Sequence, residues 1–240
     1  MNEFPNGRRA AGFGAAARLL LTIAIALATT ATRADVGGGP ARGETDRRPI
    51  HHSAVLPAEA RPFGYSLADM VRLTAAFNVG DRSGPPPNSP FQVLYVIGNA
   101  DTAAFTVRHG TFLFVPVLYS DNSAPLLGHF PANVLDRRQL LPYWFSQNEI
   151  GIVATDVTVD GVTVPLGARY VQGAVFAQPL PSTATQYVAA AAFIEPLRRG
   201  VHSVAIHSRA TGDALRAPPF DQVFPDGVFE FTSTYTVTVQ

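Results

Sequence analysis

The sequence predicts a mainly β protein: an antiparallel β-sandwich with one or two short helices, behind a cleaved signal peptide. Three observations predict it. Short segments of alternating apolar and polar residues recur along most of the chain. Gly and Pro, 20 of each, punctuate those segments as turn formers do. An apolar run of ten, Leu19 to Ala28, stands between arginines and a small-residue exit, as in a secretory leader.

That leader occupies residues 1–34. Arg8, Arg9 and Arg18 make its start positive, and Thr32-Arg33-Ala34 closes it, with cleavage expected after Ala34 and Ala31 as the alternative. A membrane-spanning helix needs about 20 apolar residues, and this run has ten. The mature chain is therefore expected to carry no membrane span and to be secreted or periplasmic. Removing residues 1–34 takes four Arg and one Glu. It leaves 14 basic and 17 acidic residues over 206 positions, a net charge of −3. Such a surface offers no electrostatic case for nucleic acid. All 18 basic residues are Arg, and Cys is absent. That excludes a disulfide scaffold and a thiolate zinc site.

Residues 35–62 read as a flexible leader, rich in Gly, Pro and Arg. Residues 63–240 read as a single domain. It opens with a helix: Ser66 is the expected N-cap, Asp69 its N3 partner, and Leu67, Met70, Val71, Thr74 and Phe77 follow at helical spacing. Gly80 and the Pro85-Pro86-Pro87 run end it.

Strands are expected next. Phe91 to Ile97 is near-continuously apolar and suits a strand buried on both faces. Phe105 to Val107 and Thr111 to Tyr119 read as a pair turning at His109-Gly110, with Pro116 bending the second or placing it at an edge. Val157 to Val164 carries Asp160-Gly161 between alternating runs, a type I′ hairpin signal. That turn pairs Val159 with Val162 and Val157 with Val164. Gln186 to Pro196 and Val201 to Ser208 read as a further hairpin. From Phe229 to Val239 apolar and polar residues alternate, so one face is buried and the other wet. Between these strands, Asp136 opens a partly helical insertion over 131–147 that ends in Tyr143-Trp144-Phe145.

Several motifs appear in a fixed order. Val107-Arg108-His109-Gly110 precedes Leu113-Phe114-Val115-Pro116-Val117-Leu118. The insertion, Val159-Asp160-Gly161-Val162, Gly200-Val201-His202-Ser203-Val204 and Tyr235-Thr236-Val237-Thr238-Val239 follow. This order, over roughly half of the mature chain, resembles an uncharacterised family of exported bacterial β-sandwich proteins. The resemblance implies fold and export and no catalytic residue.

The chemistry-bearing residues are sparse. No phosphate loop, His-Glu-x-x-His helix or Gly-x-Ser-x-Gly elbow is present. His202 and His207 lie five apart, so a straight strand sends them to opposite faces, where they cannot share a metal. No metal site and no cofactor are expected. Asp121, Asn122 and His129 share one polar loop, and Asp221 and Asp226 flank another. Turn formation accounts for such residues, and the same loops are the candidate ligand-binding surface. Trp144, the single tryptophan, is expected to plug the core rather than stack on a sugar.

The expected function is therefore a secreted, non-catalytic binding or interaction module. Its extracellular ligand would be a carbohydrate or a protein. The alternative is a secreted hydrolase using carboxylates among Asp121, Asp156, Asp221 and Asp226, with His129 nearby.

Overall fold

A computed structural model describes residues 53–240 apart from Asp81, Ser83 and Asn99. The signal peptide expected over 1–34 and leader residues 35–52 lie outside the described residues. The rest of the leader is docked: Val55 bridges Ile194, and the Leu56 N–H donates to the Phe193 carbonyl at 2.9 Å. Among the described residues, no helix is long and apolar enough to cross a membrane.

Helix α1 spans Leu67–Val79 and starts as the sequence requires. The Ser66 side chain accepts from the Asp69 N–H at 3.2 Å, while Asp69 accepts from the Ser66 N–H at 2.8 Å. This reciprocal box satisfies two backbone donors that a helix start leaves unpaired. Helix α2 spans Arg137–Phe145, is capped by Asp136, and runs on through Pro142.

Among the described residues, nine strands follow or flank these helices: β1 Gln92–Val93, β2 Thr102–Val107, β3 Leu113–Asp121, β4 Ile152–Val159, β5 Val162–Pro165, β6 Val171–Val175, β7 Gln186–Ile194, β8 Gly200–Ala210 and β9 Phe229–Val239. They form two sheets, ordered β1-β3-β7-β6 and β2-β9-β8-β4-β5. The described residues are thus mainly β, with two sheets and two α-helices.

The expectation of purely antiparallel sheets is corrected, because β1 pairs β3 in parallel and β2 pairs β9 in parallel. An alternating pattern fixes which face a strand buries and carries no information about its direction. In β2, Ala103, Phe105 and Val107 stand opposite Tyr235, Val237 and Val239. That satisfies the pattern with parallel strands.

Two expected hairpins are corrected for a related reason. β2 and β3 belong to different sheets, as do β7 and β8. Leu197, in the link between β7 and β8, is buried in the inter-sheet core, so that link crosses the layers instead of folding back. The strand expected over Phe91 to Ile97 is also shorter. Only Gln92–Val93 is strand, and Ile97 is exposed.

The Asp160-Gly161 hairpin has the expected register, Val159 to Val162 and Val157 to Val164. Asp160 has φ 47° and Gly161 φ 82°, the left-handed pair that a type I′ turn demands. β9 alternates as expected over its length. Pro116 lies inside β3 beside a register shift between Pro116 and Leu118, the bend expected of a strand that lacks a ladder donor there.

α1 covers the outer face of the first sheet. Leu67, Met70, Val71 and Ala75 pack on Phe114, Tyr187, Ala189, Ala191 and Phe193. The opposite face of β7 meets the inter-sheet core, which is why this strand is buried from Tyr187 to Ile194. The inter-sheet core divides in two. One end is aliphatic and holds Val115, Val157, Val159, Val204 and Val237. The other holds Trp144, Phe220, Phe224 and Phe229 beneath α2 and the 213–227 loop. The insertion lies flat on β6, because a Cβ at Gly173 would collide with the Val134 carbonyl.

Candidate functional site

The candidate site lies where the two halves of the inter-sheet core meet. Small inward-facing residues make the room. On β8, Ala210 takes an inward place beyond Ile206, and on β9 Ser233 interrupts the inward series Phe229, Phe231, Tyr235. Register places Ser233 opposite Ile206 and Ser208 opposite Phe231. The result is a cavity of about 120 Å³ between the sheets.

Its walls come from both sheets and from the loops. β3 supplies Val117 and Ser120, and β8 supplies Ile206 and Ala210. α2 contributes Trp144, and the 213–227 loop contributes Leu215, Phe220 and Phe224. Arg82, Val96 and Ala100 form a further wall. Ala100 is solvent-exposed, so the cavity reaches the surface there.

Three polar atoms among these lining residues have no hydrogen-bond partner in the protein: Trp144 Nε1, Tyr235 Oη and Arg82 Nε. Trp144 is 1% exposed, Tyr235 0% and Arg82 8%. Most buried polar groups are paired, because stripping one of water without replacement costs free energy. Burial pushes the Tyr235 hydroxyl up to about 12, against a lesser opposing pull from the nearby Arg82 charge. Tyr235 is therefore a neutral donor at ordinary pH. Ser120 is already engaged, at 2.7 Å from the Tyr143 hydroxyl, whose ionisation burial also disfavours.

Arg82 is the least conventional member. It follows α1 with φ 54°, a left-handed conformation that is rare for a side-chain-bearing residue. Its Nη1 donates to the Val96 carbonyl at 3.4 Å. No carboxylate of the described residues forms an ion pair with it. A buried guanidinium without a counter-charge is costly to maintain.

The loop residues singled out from the sequence sit elsewhere, and none of the five lines the cavity. Asp121 is buried and accepts from the Ser123 N–H at 2.9 Å, the Ser123 hydroxyl, and the Ser182 hydroxyl at 2.8 Å. Asn122 Oδ1 accepts from the N–H groups of Thr185 and Gln186 at 2.8 and 2.9 Å. These two residues tie the end of β3 to the start of β7. His129 projects into solvent, with its N–H and Nδ1 on the Glu149 carboxylate at 2.7 and 2.9 Å. Asp226 accepts from the Val228 N–H at 3.1 Å, and Asp221 has one buried carboxylate oxygen without a partner. No hydrogen bond or ion pair links one of the five to another.

Asp156 is on the second sheet at 3.2 Å from His207, whose other nitrogen lies 3.1 Å from Glu230. Among the described residues, no group of three or more His, Asp and Glu is disposed to hold a metal.

Trp144 is core, as its aromatic neighbours implied, and it is also cavity wall. The candidate ligand-binding surface expected from the sequence is on the loops and does not include the space inside the core that Trp144 lines. Ser233 amid the inward Phe229, Phe231 and Tyr235 was the legible signal, since a small residue in a large series leaves space. Arg82 had no such signal, being one arginine in a polar turn. No protein-family model, no curated protein and no solved structure matches this chain, so its fold and cavity stand on their own geometry.

Proposed function

We propose that the chain is an exported, non-catalytic binding module, a β-sandwich that takes a small, largely apolar ligand between its sheets. The observation that carries this reading is an apolar cavity of about 120 Å³ whose wall includes buried donors without protein partners. Ligand sites are concave and mostly apolar, with a few polar groups that set orientation. A cavity of about 150 Å³ lined by Leu, Ile and Phe holds benzene, and this one is somewhat smaller at about 120 Å³, so a single ring is the upper limit of what it suits. A sugar would place its hydroxyls against Phe, Leu and Val, which supports an apolar ligand over a carbohydrate. Export rests on the pattern of residues 1–34.

Trp144 is the single tryptophan and lines the cavity, so its fluorescence reads occupancy. Titration with toluene is expected to change that emission saturably and to raise the unfolding temperature. At a ligand concentration of 100 Kd the stabilisation is about 2.7 kcal/mol. Toluene that alters neither signal would refute the reading.

A further inference from the structure

The polar atoms of the cavity wall differ in kind from what a purely apolar guest needs. Trp144 Nε1 and Arg82 Nε can only donate, and the Tyr235 hydroxyl donates readily. The wall thus holds an excess of donors, one of them carrying a positive charge that no carboxylate of the described residues pairs. Tyr235 and Arg82 line the same cavity. An ionised carboxylate is the complementary group: it accepts only, it offers two oxygens, and it supplies the missing counter-charge. Guanidinium and carboxylate match as planar forks.

We propose that the ligand of this cavity is a small apolar monocarboxylate. Its carboxylate bonds Arg82 and Tyr235, and its hydrocarbon part lies among Phe229, Phe231 and Leu215. This rests on the cavity being a ligand site and adds the chemical class. Position supports it as well. Arg82 bonds the carbonyl of Val96, and the turn after Val96 leads to exposed Ala100, the wall where the cavity meets solvent. The charged head therefore sits toward the open side, and the apolar tail points into the core.

The test compares benzoate with toluene by titration calorimetry on the full mature chain. Benzoate is expected to bind at least ten-fold more tightly than toluene. Arg82→Gln is expected to abolish that preference and keep toluene binding, and Arg82→Lys to restore part of it, because a lysine brings charge without the fork. Tyr235→Phe keeps the ring and removes one donor. It is expected to weaken benzoate several-fold and leave toluene unchanged, so the proposal remains testable if the Arg82 variants fold poorly. Toluene binding with no preference for benzoate in the unaltered protein overturns the carboxylate assignment alone. So does a benzoate preference that survives Arg82→Gln. Failure of both ligands overturns the cavity reading and this assignment with it.

Discussion

The two ends of the inter-sheet space are filled by different side chains. At the end carrying the Asp160-Gly161 hairpin, Val157, Val159, Val204, Val237 and Val239 mesh with Leu113, Val115 and Ile194. Branched aliphatics on facing strands interdigitate closely, since each methyl group enters a gap in the opposite sheet. At the other end, Trp144, Phe220, Phe224 and Phe229 come from a helix, a loop and a strand. Flat rings brought together by elements of different kinds do not tile the space, and the small residues Ala210 and Ser233 leave more of it open. A regular pair of sheets therefore accounts for the stability of one end, and the irregular cover of α2 and the 213–227 loop accounts for the cavity of the other.

Removing the largest ring tests whether the aromatic end is core as well as container. Trp144 is 1% exposed, and Trp→Ala in a core costs about 3–5 kcal/mol. Trp144→Ala is expected to fall in that range in urea unfolding. A loss below about 1 kcal/mol, the range of an ordinary surface change, would show that the aromatic end contributes little to the fold.

A matched pair of additions then compares the ends directly. Ala192 and Ala210 are both fully buried alanines on strands. Ala192 faces the aliphatic end and Ala210 the cavity. Ala192→Leu is expected to destabilise by about 1–3 kcal/mol through overpacking. Ala210→Leu fills open space and is expected to stabilise by about 0.5–2 kcal/mol, while it expels toluene. Changes of the same sign at both positions would erase the distinction between the ends.

The aliphatic end was the more legible in the sequence. Its hairpin was readable from Asp160-Gly161 and the flanking valines, because turn chemistry and side-chain period are local. The Ser66–Asp69 box and the alternation of β9 were readable for the same reason. What was not local stayed hidden. Alternation is identical for parallel and antiparallel neighbours, so nothing in Phe105 to Val107 announced β9 as its partner. The links after Val107 and Ile194 looked like hairpin closures, since a crossing between sheets also uses a few turn residues. The cavity is less local still. Ser233, Ala210 and Trp144 are unremarkable one at a time, and become a site only when register and the packing of α2 bring them together. Arg82 gains meaning only once the fold buries it in the cavity wall with no ion pair to a carboxylate of the described residues.

The smallest expected effect is electrostatic and belongs to the second sheet rather than to the cavity. His202 is partly buried, which opposes its charge. Bonds to Asp160 at 2.6 Å and to the Arg198 carbonyl at 2.8 Å outweigh that and raise its pKa. His207 is also held above its ordinary value. Burial again opposes, and the carboxylates of Glu230 and Asp156 prevail. Glu230 in turn lies 3.7 Å from Arg209, which shares its charge. A histidine whose folded pKa is raised binds its proton more tightly in the folded state. The stability it contributes is therefore complete below the unfolded value of about 6.5 and is lost as pH rises through the folded value. Unfolding temperature is thus expected to fall gently as pH rises from about 6 to 8. Asp160→Asn and Glu230→Gln together should flatten the slope. No histidine lines the cavity, so toluene affinity is expected to stay constant over the same window. An affinity that tracked the unfolding temperature with pH would mean that the ionic contacts of the second sheet reach the cavity, and the two regions would have to be treated as one coupled unit.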